Sequence, residues 1–381
     1  MSNTLFLTLK TFSATGGIEK VCRIAGKALF ENGLENKRDI TIFSLHDSKD
    51  DAKENIYFPS ELFRGFSANR FTFIRSAIQK SIDCEIVILS HINLLIIGWM
   101  IKKISPHTRV YIFAHGIEIG NISIRKRKMF ACCDKIICVS RFTLERIIQM
   151  HSIEKQKLEV LNNCLDPFLP APATTKEILD LREKYGFGEN ELILFTLARL
   201  AAKERYKGYD TVIHTLTALK KNYPLIRYVI GGKYDLEEKK YLDELITETG
   251  LQENVFITGF IDEKDLPAWY AAADIFVMPS REEGFGLVFI EAMYYGLPVI
   301  AGNRDGSADA LCNGELGLLV DPLNREEITA AILQIAGNKS AFIPDREKLL
   351  LNFGYQPYRR KLETILFGST TVQAESIVSM A

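Results

Sequence analysis

The sequence shows no charge imbalance and no paired cysteine motif. Its 47 Lys and Arg residues nearly cancel 48 Asp and Glu residues, for a net charge of −1. Binding to nucleic acid is therefore not indicated, because such proteins carry a clear basic excess. The seven cysteines form no pair of C-x-x-C motifs at zinc spacing, and several lie in apolar runs such as 136–139. We expect reduced, mostly buried thiols, a cytoplasmic protein and no metal site.

The sequence also lacks an obvious targeting or membrane-spanning segment. Its first residues have neither the basic start nor the long apolar stretch of a signal peptide. The most apolar segment, residues 86–101, is 16 residues long and contains Ser90, His91 and Asn93. A membrane-spanning helix needs about 20 predominantly apolar residues. We interpret this segment as a buried strand, a polar turn and a core helix.

The sequence does contain short apolar runs that alternate with helical periods. Continuously hydrophobic runs are typical of parallel strands covered on both faces, and their alternation with helices favours doubly wound α/β sheets. Strands are predicted at residues 4–9, 39–44, 86–90, 109–114, 135–139, 192–197, 227–231, 255–258, 275–279, 298–301 and 317–320. A chain of 381 residues is long for one core and suits two domains.

A proline-rich break at residues 166–175 divides these strands into two groups, because it fits neither a helix nor a strand. Ligands of open α/β sheets bind at the carboxyl ends of the strands, so two Rossmann-like domains would face each other across a cleft. We predict an N-terminal acceptor-side domain at 1–168, a C-terminal nucleotide-sugar-binding domain at 169–352, a helix at 353–367 that packs on the N-terminal domain, and a flexible tail at 368–381.

The most informative stretch is 280–300, where Glu283 and Glu291 are eight positions apart. Gly284 and Gly286 would let the backbone approach a ligand and hold an anion. The apolar run that follows predicts a helix start, whose positive end favours phosphate. Two carboxylates around such a turn would suit a sugar nucleotide. Alternatively, the stretch could be a strand–turn–helix joint with two surface glutamates.

Basic residues follow the predicted strand at 192–197. Arg199 stands where the strand ends, and Lys207 comes eight positions later, before a predicted helix. A planar guanidinium and a point charge on one loop suit a diphosphate. Alternatively, Lys203, Arg205 and Lys207 could form a solvated charged loop, and either of the first two could replace Lys207.

Two weaker signals lie in the first half of the chain. Gly16 and Gly17 follow the first strand, where a tight turn would let the backbone approach a ligand, but no G-x-G-x-x-G motif implies a nicotinamide cofactor. His115 ends another strand and could donate a hydrogen bond to a sugar, or could be structural. Residues 125–128 form a basic run, and segment 64–75 mixes phenylalanine with arginine. Such stretches suit an anionic membrane surface or, alternatively, an ordinary helix surface with buried phenylalanines.

Together these segments resemble the family-4 retaining glycosyltransferases of GT-B architecture. The resemblance covers about residues 1–366, and residues 280–293 match the family's E-x7-E signature. Lys207-Gly208, with Arg199, resembles the family's basic diphosphate pair. The remaining matches are residues 303–311 and 317–322 in the nucleotide domain and, more loosely, Gly16-Gly17-Ile18-Glu19 and His115-Gly116.

The resemblance implies roles for the matched residues. Glu291 would hold the ribose of the nucleotide, and Glu283 would face the donor sugar. Arg199 and Lys207 would neutralise the diphosphate leaving group without a metal ion, and His115 would contact the sugar near the reacting carbon. Backbone N–H groups would meet phosphate or sugar at Gly16, Gly17, Gly284, Phe285, Gly286 and Leu287.

The resemblance therefore implies a retaining hexosyltransferase that uses a UDP- or GDP-linked sugar and no further cofactor. Its acceptor would be a saccharide or lipid-linked saccharide in cell-surface polysaccharide or lipopolysaccharide assembly, with peripheral contact to the cytoplasmic membrane face. One alternative is a two-lobed sugar-nucleotide-binding protein without catalysis. A phosphorylase is disfavoured because no obvious lysine motif for a pyridoxal cofactor is present. Asp305-Gly306 departs from the family's usual glycine- and proline-rich turn.

Overall fold

The computed structural model describes residues 3–120, 122–151, 153–188 and 190–368. Within these ranges, two sheets of parallel strands alternate with helices along the chain. The strands are β1 Asn3–Thr8, β2 Asp39–Ser44, β3 Phe63–Gly65, β4 Cys84–Leu89, β5 Arg109–Ala114, β6 Lys135–Cys138, β7 Leu158–Val160, β8 Ile193–Leu197, β9 Arg227–Gly231, β10 Val255–Gly259, β11 Ile275–Met278, β12 Val299–Gly302 and β13 Leu318–Val320.

Helices connect most of these strands. The α-helices are α1 Gly17–Glu35, α2 Arg70–Ser81, α3 Leu95–Ile104, α4 Ile124–Met129, α5 Arg141–His151, α6 Thr175–Lys184, α7 Tyr209–Leu219, α8 Leu236–Glu248, α9 Leu266–Ala272, α10 Leu287–Tyr294, α11 Ser307–Ala310, α12 Arg325–Gly337, α13 Arg346–Phe353 and α14 Tyr355–Phe367.

The strand order confirms the predicted pair of doubly wound sheets. The first sheet has the order β3-β2-β1-β4-β5-β6-β7, and the second has the order β10-β9-β8-β11-β12-β13. In both, the chain begins near the middle, runs to one edge and then returns to build the other half. This winding creates a switch point beside the first strand, where ligands of such sheets bind.

The eleven predicted strands are all present, with ends shifted by at most two residues. The sequence missed β3 and β7, which are three-residue strands at the two edges of the first sheet. Each of the two has a charged residue at its centre, in Phe63-Arg-Gly and Leu158-Glu-Val, so neither shows the apolar run of a buried strand. The equally short β13 is Leu-Leu-Val and was predicted.

Helices cover both faces of the second sheet, which explains its hydrophobic strands. In β8, Ile193 and Phe195 pack into one apolar cluster, whereas Leu194 between them packs into another. Successive side chains of a strand point to opposite faces, so both faces of this strand are buried. Its loops at the carboxyl ends are then the parts left to bind a ligand.

The chain divides into two compact units. One contains the chain up to Ile112, residues Met129–Lys135 and the chain from Gln356, and the other contains Phe113–Lys128 and Ile136–Tyr355. The predicted domain boundary at 168/169 falls between the last strand of the first sheet and the first strand of the second. The assignment of acceptor and nucleotide domains, and of a cleft between them, stays a prediction.

The proline-rich connector has no helix or strand from residue 161 to residue 174. It ends in a capping box, in which the Thr174 N–H donates to Glu177 Oε2 at 2.7 Å and the Glu177 N–H donates to Thr174 Oγ1 at 3.3 Å. These bonds satisfy donors at the start of α6, so the helix begins there.

The last helix, α14, contacts α1 in the first unit. Asn36 Nδ2 donates to Glu363 Oε1 at 2.6 Å, Asn32 Nδ2 donates to the Arg359 carbonyl at 3.2 Å, and Arg359 pairs with Glu35. The predicted tail beyond Gly368 lies outside the described residues.

The most apolar segment forms β4, a short turn and α3, as predicted. Across the part of the chain that the structure describes, no helix is long and apolar enough to cross a membrane. Five of the seven cysteines are buried, and Cys132 and Cys312 are half-buried, which confirms the prediction of mostly buried thiols.

Candidate active site

The loop after β11 carries Glu283. Gly286, with a φ of +88°, leads into α10 at Leu287, two residues later than the predicted helix start at Phe285. A positive φ of this kind favours glycine. At the other end of the loop, Ser280 is fully buried. Ser280 and Gly286 therefore fix the two ends of the loop that carries Glu283.

Glu283 forms an ion pair with Lys207, which lies 76 residues earlier in the chain. Each of the two side chains is only 14% exposed. Lys207 Nζ also lies 5.4 Å from the ring centroid of Tyr206, and burial raises the pKa of the Tyr206 phenol. The two charges are thus partly shielded from water. Their attraction is stronger in this setting than it would be on an open surface.

Gly208 brings the Lys207 loop against the Glu283 loop. Its φ is +80°, and a Cβ at this position would stand 2.3 Å from the carbonyl oxygen of Pro279. In the same contact, the Arg281 N–H donates to the carbonyl of Tyr206 at 2.9 Å. A larger residue would force the two loops apart, so glycine is required beside the lysine.

Arg199, the other predicted diphosphate ligand, pairs with a different carboxylate. It forms an ion pair with Glu204, whose side chain is 8% exposed, while its own side chain is 66% exposed. The structure therefore places Arg199 and Lys207 on the same connection after β8 but gives each its own acidic partner. Their joint contact with one diphosphate stays a prediction.

Of the other basic residues on this loop, Arg205 has a structural partner. Its Nε donates to Glu238 Oε2 at 2.7 Å, and its guanidinium carbon lies 3.6 Å from the ring centroid of Tyr241. Glu238 is fully buried and also accepts a hydrogen bond from Tyr209 at 2.8 Å. Lys203 is exposed. Of the three basic residues Lys203, Arg205 and Lys207, it is Lys207 that forms the ion pair with Glu283.

Asp305, in the loop after β12, holds the Glu283 loop from the side. It is 3% exposed, and its Oδ2 accepts the Ser280 hydroxyl and the Glu283 N–H, both at 2.7 Å. Its Oδ1 accepts the Ser307 N–H at 2.9 Å. Burial raises the pKa of the Asp305 carboxyl to about 6, although these hydrogen bonds oppose the rise. The sequence did not mark Asp305 as a site residue.

The predicted nucleotide anchor Glu291 lies within α10 and is 4% exposed. The Tyr270 hydroxyl donates to its Oε2 at 3.5 Å, and the Tyr270 ring stacks on Tyr295 with centroids 5.4 Å apart. Burial, and then the negative charge of Glu291, raise the pKa of Tyr270. The Glu291 carboxylate is therefore buried beside the Tyr270 hydroxyl, and its contact with a ribose stays a prediction.

Glycines allow three loops of the second unit to meet at Gly284. A Cβ on Gly284 would lie 1.8 Å from the His115 carbonyl oxygen, and a Cβ on Gly306 would lie 2.1 Å from the Gly284 carbonyl oxygen. The structure thus brings the backbone of His115 to the Glu283 loop. The half-buried His115 ring has its centroid 6.3 Å from that of Phe113, and the backbone N–H of His115 donates to Glu118 Oε1 at 2.6 Å. Its role towards a sugar stays a prediction.

Gly16 and Gly17 belong to the first unit, where Gly16 precedes the first residue of α1. The loop before them is held by Asp47, a fully buried residue just after β2. Asp47 accepts the N–H groups of Thr11 at 2.6 Å and Ser13 at 2.7 Å, and it also accepts the Ser44 hydroxyl. These hydrogen bonds hold the loop, and its contact with phosphate stays a prediction.

Within the described ranges, no group of three or more His, Cys, Asp or Glu side chains is placed to hold a metal ion. The residues that the sequence missed are the buried carboxylates Asp305, Glu204 and Glu238. The only sequence signal for the first was the Asp305-Gly306 departure from the family's usual turn. For Glu204 and Glu238, the nearby basic residues indicated that acidic partners were needed but did not identify them.

Two family models match consecutive parts of the chain. Residues 15–167 match the model described as Glycosyltransferase Family 4, and residues 177–351 match the model described as Glycosyl transferases group 1. The two matches together cover every strand of the two sheets except β1.

Curated proteins of known name are similar to part of the chain. Mannosylfructose-phosphate synthase of Agrobacterium fabrum is 29% identical over 214 residues, which cover 54% of this chain and 46% of that protein. A GDP-mannose-dependent alpha-(1-6)-phosphatidylinositol monomannoside mannosyltransferase of Mycolicibacterium smegmatis is 31% identical over 240 residues, which cover 59% of this chain and 60% of that protein. The chain thus spans about half to three fifths of the length of these curated relatives.

Solved structures resemble the whole described fold. Anabaena HepE, in a complex with UDP and glucose, superposes with a TM-score of 0.77 at 20% identity and covers 96% of this chain and 99% of its own. Sucrose-phosphate synthase from Thermosynechococcus elongatus superposes with a TM-score of 0.75 at 18% identity and covers 96% and 98%. At this identity the likeness concerns the fold, which is the GT-B arrangement of two Rossmann-like domains.

Proposed function

The chain belongs to the family-4 glycosyltransferases with the GT-B fold, and we propose that it moves a hexose from a nucleotide-diphosphate sugar to a saccharide or lipid-linked saccharide acceptor. The observation that carries this proposal is the ion pair between Lys207 and Glu283. It joins the two loops in which the sequence predicted the diphosphate contact and the sugar contact. The proposed reaction retains the configuration of the sugar and needs no metal ion.

The proposed chemistry breaks the bond between the anomeric carbon and the diphosphate oxygen. The acceptor hydroxyl oxygen bonds to the same face of that carbon, and its proton leaves with the diphosphate. Negative charge develops on the leaving oxygen, so a fixed cation beside it lowers the barrier. Lys207 supplies this charge, and Arg199 supplies a second one from a more exposed position. Orientation of the two reactants provides the remaining acceleration.

The donor would be held by groups on both sides of this charge. Glu291 would bind the ribose, backbone N–H groups from Gly284 to Leu287 would bind phosphate or sugar, and Gly16-Gly17 would lie beside the phosphates. Glu283 and His115 would contact the transferred sugar. The N-terminus of α10 supports phosphate binding through its helix dipole. The names of the relatives support UDP or GDP as the nucleotide.

Exposed aromatic and basic side chains of the first unit support a lipid-linked acceptor at an anionic membrane surface. Phe71 on α2 is 76% exposed next to Arg70, and Trp99 on α3 is 43% exposed with Lys103 Nζ 6.0 Å from its ring centroid. Aromatic rings at the headgroup level and nearby cations favour such a surface. By contrast, Phe73 in the same segment is 1% exposed and serves the core. Peripheral contact with the cytoplasmic membrane face, and a role in cell-surface polysaccharide or lipopolysaccharide assembly, are part of the proposal.

The proposal is tested first by thermal shift with UDP- and GDP-linked sugars. A ligand present at 100 times its dissociation constant adds about 2.7 kcal/mol to the free energy of unfolding, so a binding donor should raise the melting temperature measurably. Release of free nucleoside diphosphate from the same sugar nucleotide, in the presence of a saccharide acceptor, then separates a transferase from a binding protein. Stabilisation without release would support the binding protein, and the absence of any shift would oppose both.

Substitutions in the site test the assignment of residues. Arg199→Ala, Lys207→Ala and Glu283→Ala should each reduce donor turnover tenfold or more, since loss of one preorganised charge or donor commonly costs about 10² to 10³. Lys240→Ala is the matched control, because Lys240 is exposed on α8, where it pairs with Glu244 one turn away. Turnover within a factor of two of the wild type for all three site variants would refute the assignment.

A further inference from the structure

Asp305 connects two neighbouring loops at the carboxyl end of the second sheet. It follows β12, which pairs with β11, and its side chain reaches the loop that follows β11. Two hydrogen bonds to its carboxylate come from that loop, one from the Ser280 hydroxyl and one from the Glu283 N–H. The carboxylate therefore binds both ends of the four-residue segment 280–283.

The backbone of Glu283 is fixed on both sides by the Asp305-Gly306 dipeptide. Its N–H donates to the Asp305 carboxylate at 2.7 Å, and its carbonyl accepts the Gly306 N–H at 2.8 Å. With both backbone groups bonded, the direction of the Glu283 side chain is determined by the position of this dipeptide. That side chain is the one that pairs with Lys207.

The hydrogen bonds require an acceptor at both oxygens of Asp305. The partners at Glu283 and Ser307 are backbone N–H groups, which can only donate. An ionised carboxylate accepts at both oxygens, whereas an asparagine amide would present an NH₂ group to one of the two N–H groups. A carboxylic acid would likewise lose acceptor capacity at one oxygen.

We infer that Asp305 is a positioning residue, whose ionised carboxylate holds segment 280–283 in the conformation in which Glu283 meets Lys207 and on which donor turnover depends. This inference rests on the proposed transferase function. Asp305 acts through Glu283 and does not itself touch the donor. Its ionised form should therefore be needed for turnover more than for binding of the nucleotide.

The buried position brings the ionisation of Asp305 into an accessible pH range. Burial raises the pKa of its carboxyl to about 6, so protonation begins not far below neutral pH. The segments that contact it carry five charged side chains besides its own. Glu283 is paired with Lys207, Arg304 is paired with Asp321, and Asp309 accepts the Arg141 N–H. Arg281 and Glu282 are exposed to solvent. Turnover by the wild type should accordingly fall as the pH decreases through about 6.

The test measures kcat and KM for the sugar nucleotide between pH 5 and pH 8, together with nucleoside diphosphate affinity by calorimetry. Asp305→Asn should lower kcat tenfold or more at pH 8, change the nucleotide Kd by less than threefold, and abolish the decline near pH 6, so that the difference from the wild type narrows towards pH 5. Asp243→Asn is the charge-matched control, since Asp243 is an exposed partner of Lys239 on α8. This control should keep both the wild-type kcat and its pH profile.

A second variant keeps the inference testable if Asp305→Asn does not fold. Ser280→Ala removes one donor that stabilises the ionised carboxylate, so the acid decline of kcat should move to higher pH. A residue with a merely structural role would not shift this profile. A folded Asp305→Asn with wild-type kcat, or an acid decline that is unmoved in Ser280→Ala, would overturn the inference while leaving the transferase intact. A wild type that releases no nucleoside diphosphate would overturn the proposed function and this inference with it.

Discussion

Replacing Asp305 with asparagine should make the stability of the protein depend less on pH. The folded carboxyl has a pKa of about 6, against an ordinary value of 3.8, because burial disfavours its charged form. The folded state therefore binds the proton more tightly than the unfolded state between these two values. In that interval the free energy of unfolding of the wild type decreases as the pH rises.

The size of this effect follows from the two pKa values. They differ by about 2 units, and each unit corresponds to about 1.4 kcal/mol, so the wild type should lose about 3 kcal/mol between pH 4 and pH 7 through this group. Asparagine cannot ionise, so the variant loses none of this free energy of unfolding. The lost hydrogen bond of the variant costs about 1–3 kcal/mol at every pH. Relative to the wild type, the free energy of unfolding of the variant should therefore increase by about 3 kcal/mol from pH 4 to pH 7.

The assay is urea unfolding followed by the fluorescence of one tryptophan. The chain has two tryptophans, and Trp99→Phe leaves only Trp269, which is 5% exposed in the apolar cluster that also contains Met278 of β11 and Ala301 of β12. This reporter follows the sheet that carries Asp305. A stability difference that stays constant from pH 4.5 to pH 7.5, or that shifts towards the wild type, would refute the reasoning.

Three further substitutions probe the site. Gly306→Ala should abolish most turnover in a donor assay, because its Cβ would lie 2.1 Å from a backbone carbonyl oxygen, whereas Gly337→Ala, whose Cβ would meet nothing within 4 Å, should leave turnover unchanged. Arg205→Met should lower the free energy of unfolding in urea by about 3 kcal/mol, because it leaves the fully buried Glu238 without its ion-pair partner. Glu291→Gln should weaken nucleotide binding in calorimetry about tenfold, or about 1.4 kcal/mol, if the carboxylate holds the ribose; unchanged affinity would contradict that role.

The fold could be predicted from the sequence because its strands are continuously apolar and long enough to recognise. Residues 227–231 and 109–114 are strands with the predicted bounds. The edge strands β3 and β7 could not be predicted in this way, since Arg64 and Glu159 interrupt their apolar residues. The strand β13 is just as short but apolar throughout, and it was predicted.

The site was predictable where a motif keeps its residues close in the chain, as around Glu283. The partner of Glu283 was harder to choose, because Lys203, Arg205 and Lys207 are chemically similar in the sequence. The packing of Gly208 against Pro279 helps to bring Lys207 to the loop. By contrast, Arg205 is bound elsewhere by Glu238 and Tyr241. Asp305 was not predicted as a site residue for the same reason. An Asp-Gly pair in a turn is ordinarily exposed, and the burial of Asp305 depends on a loop 22 residues away.

Asp47 and Asp305 hold equivalent loops of the two sheets, and this limits which segments of the chain can be exchanged with those of its relatives. Asp47 follows β2 and binds the loop after the adjacent β1, just as Asp305 follows β12 and binds the loop after the adjacent β11, and each also accepts a serine hydroxyl. Neither loop is a self-contained module, because its conformation is encoded in part by a residue on the next strand. A chimera built to exchange donor preference must transplant the aspartate together with the loop, and a graft of the loop alone would leave a buried carboxylate facing the wrong backbone.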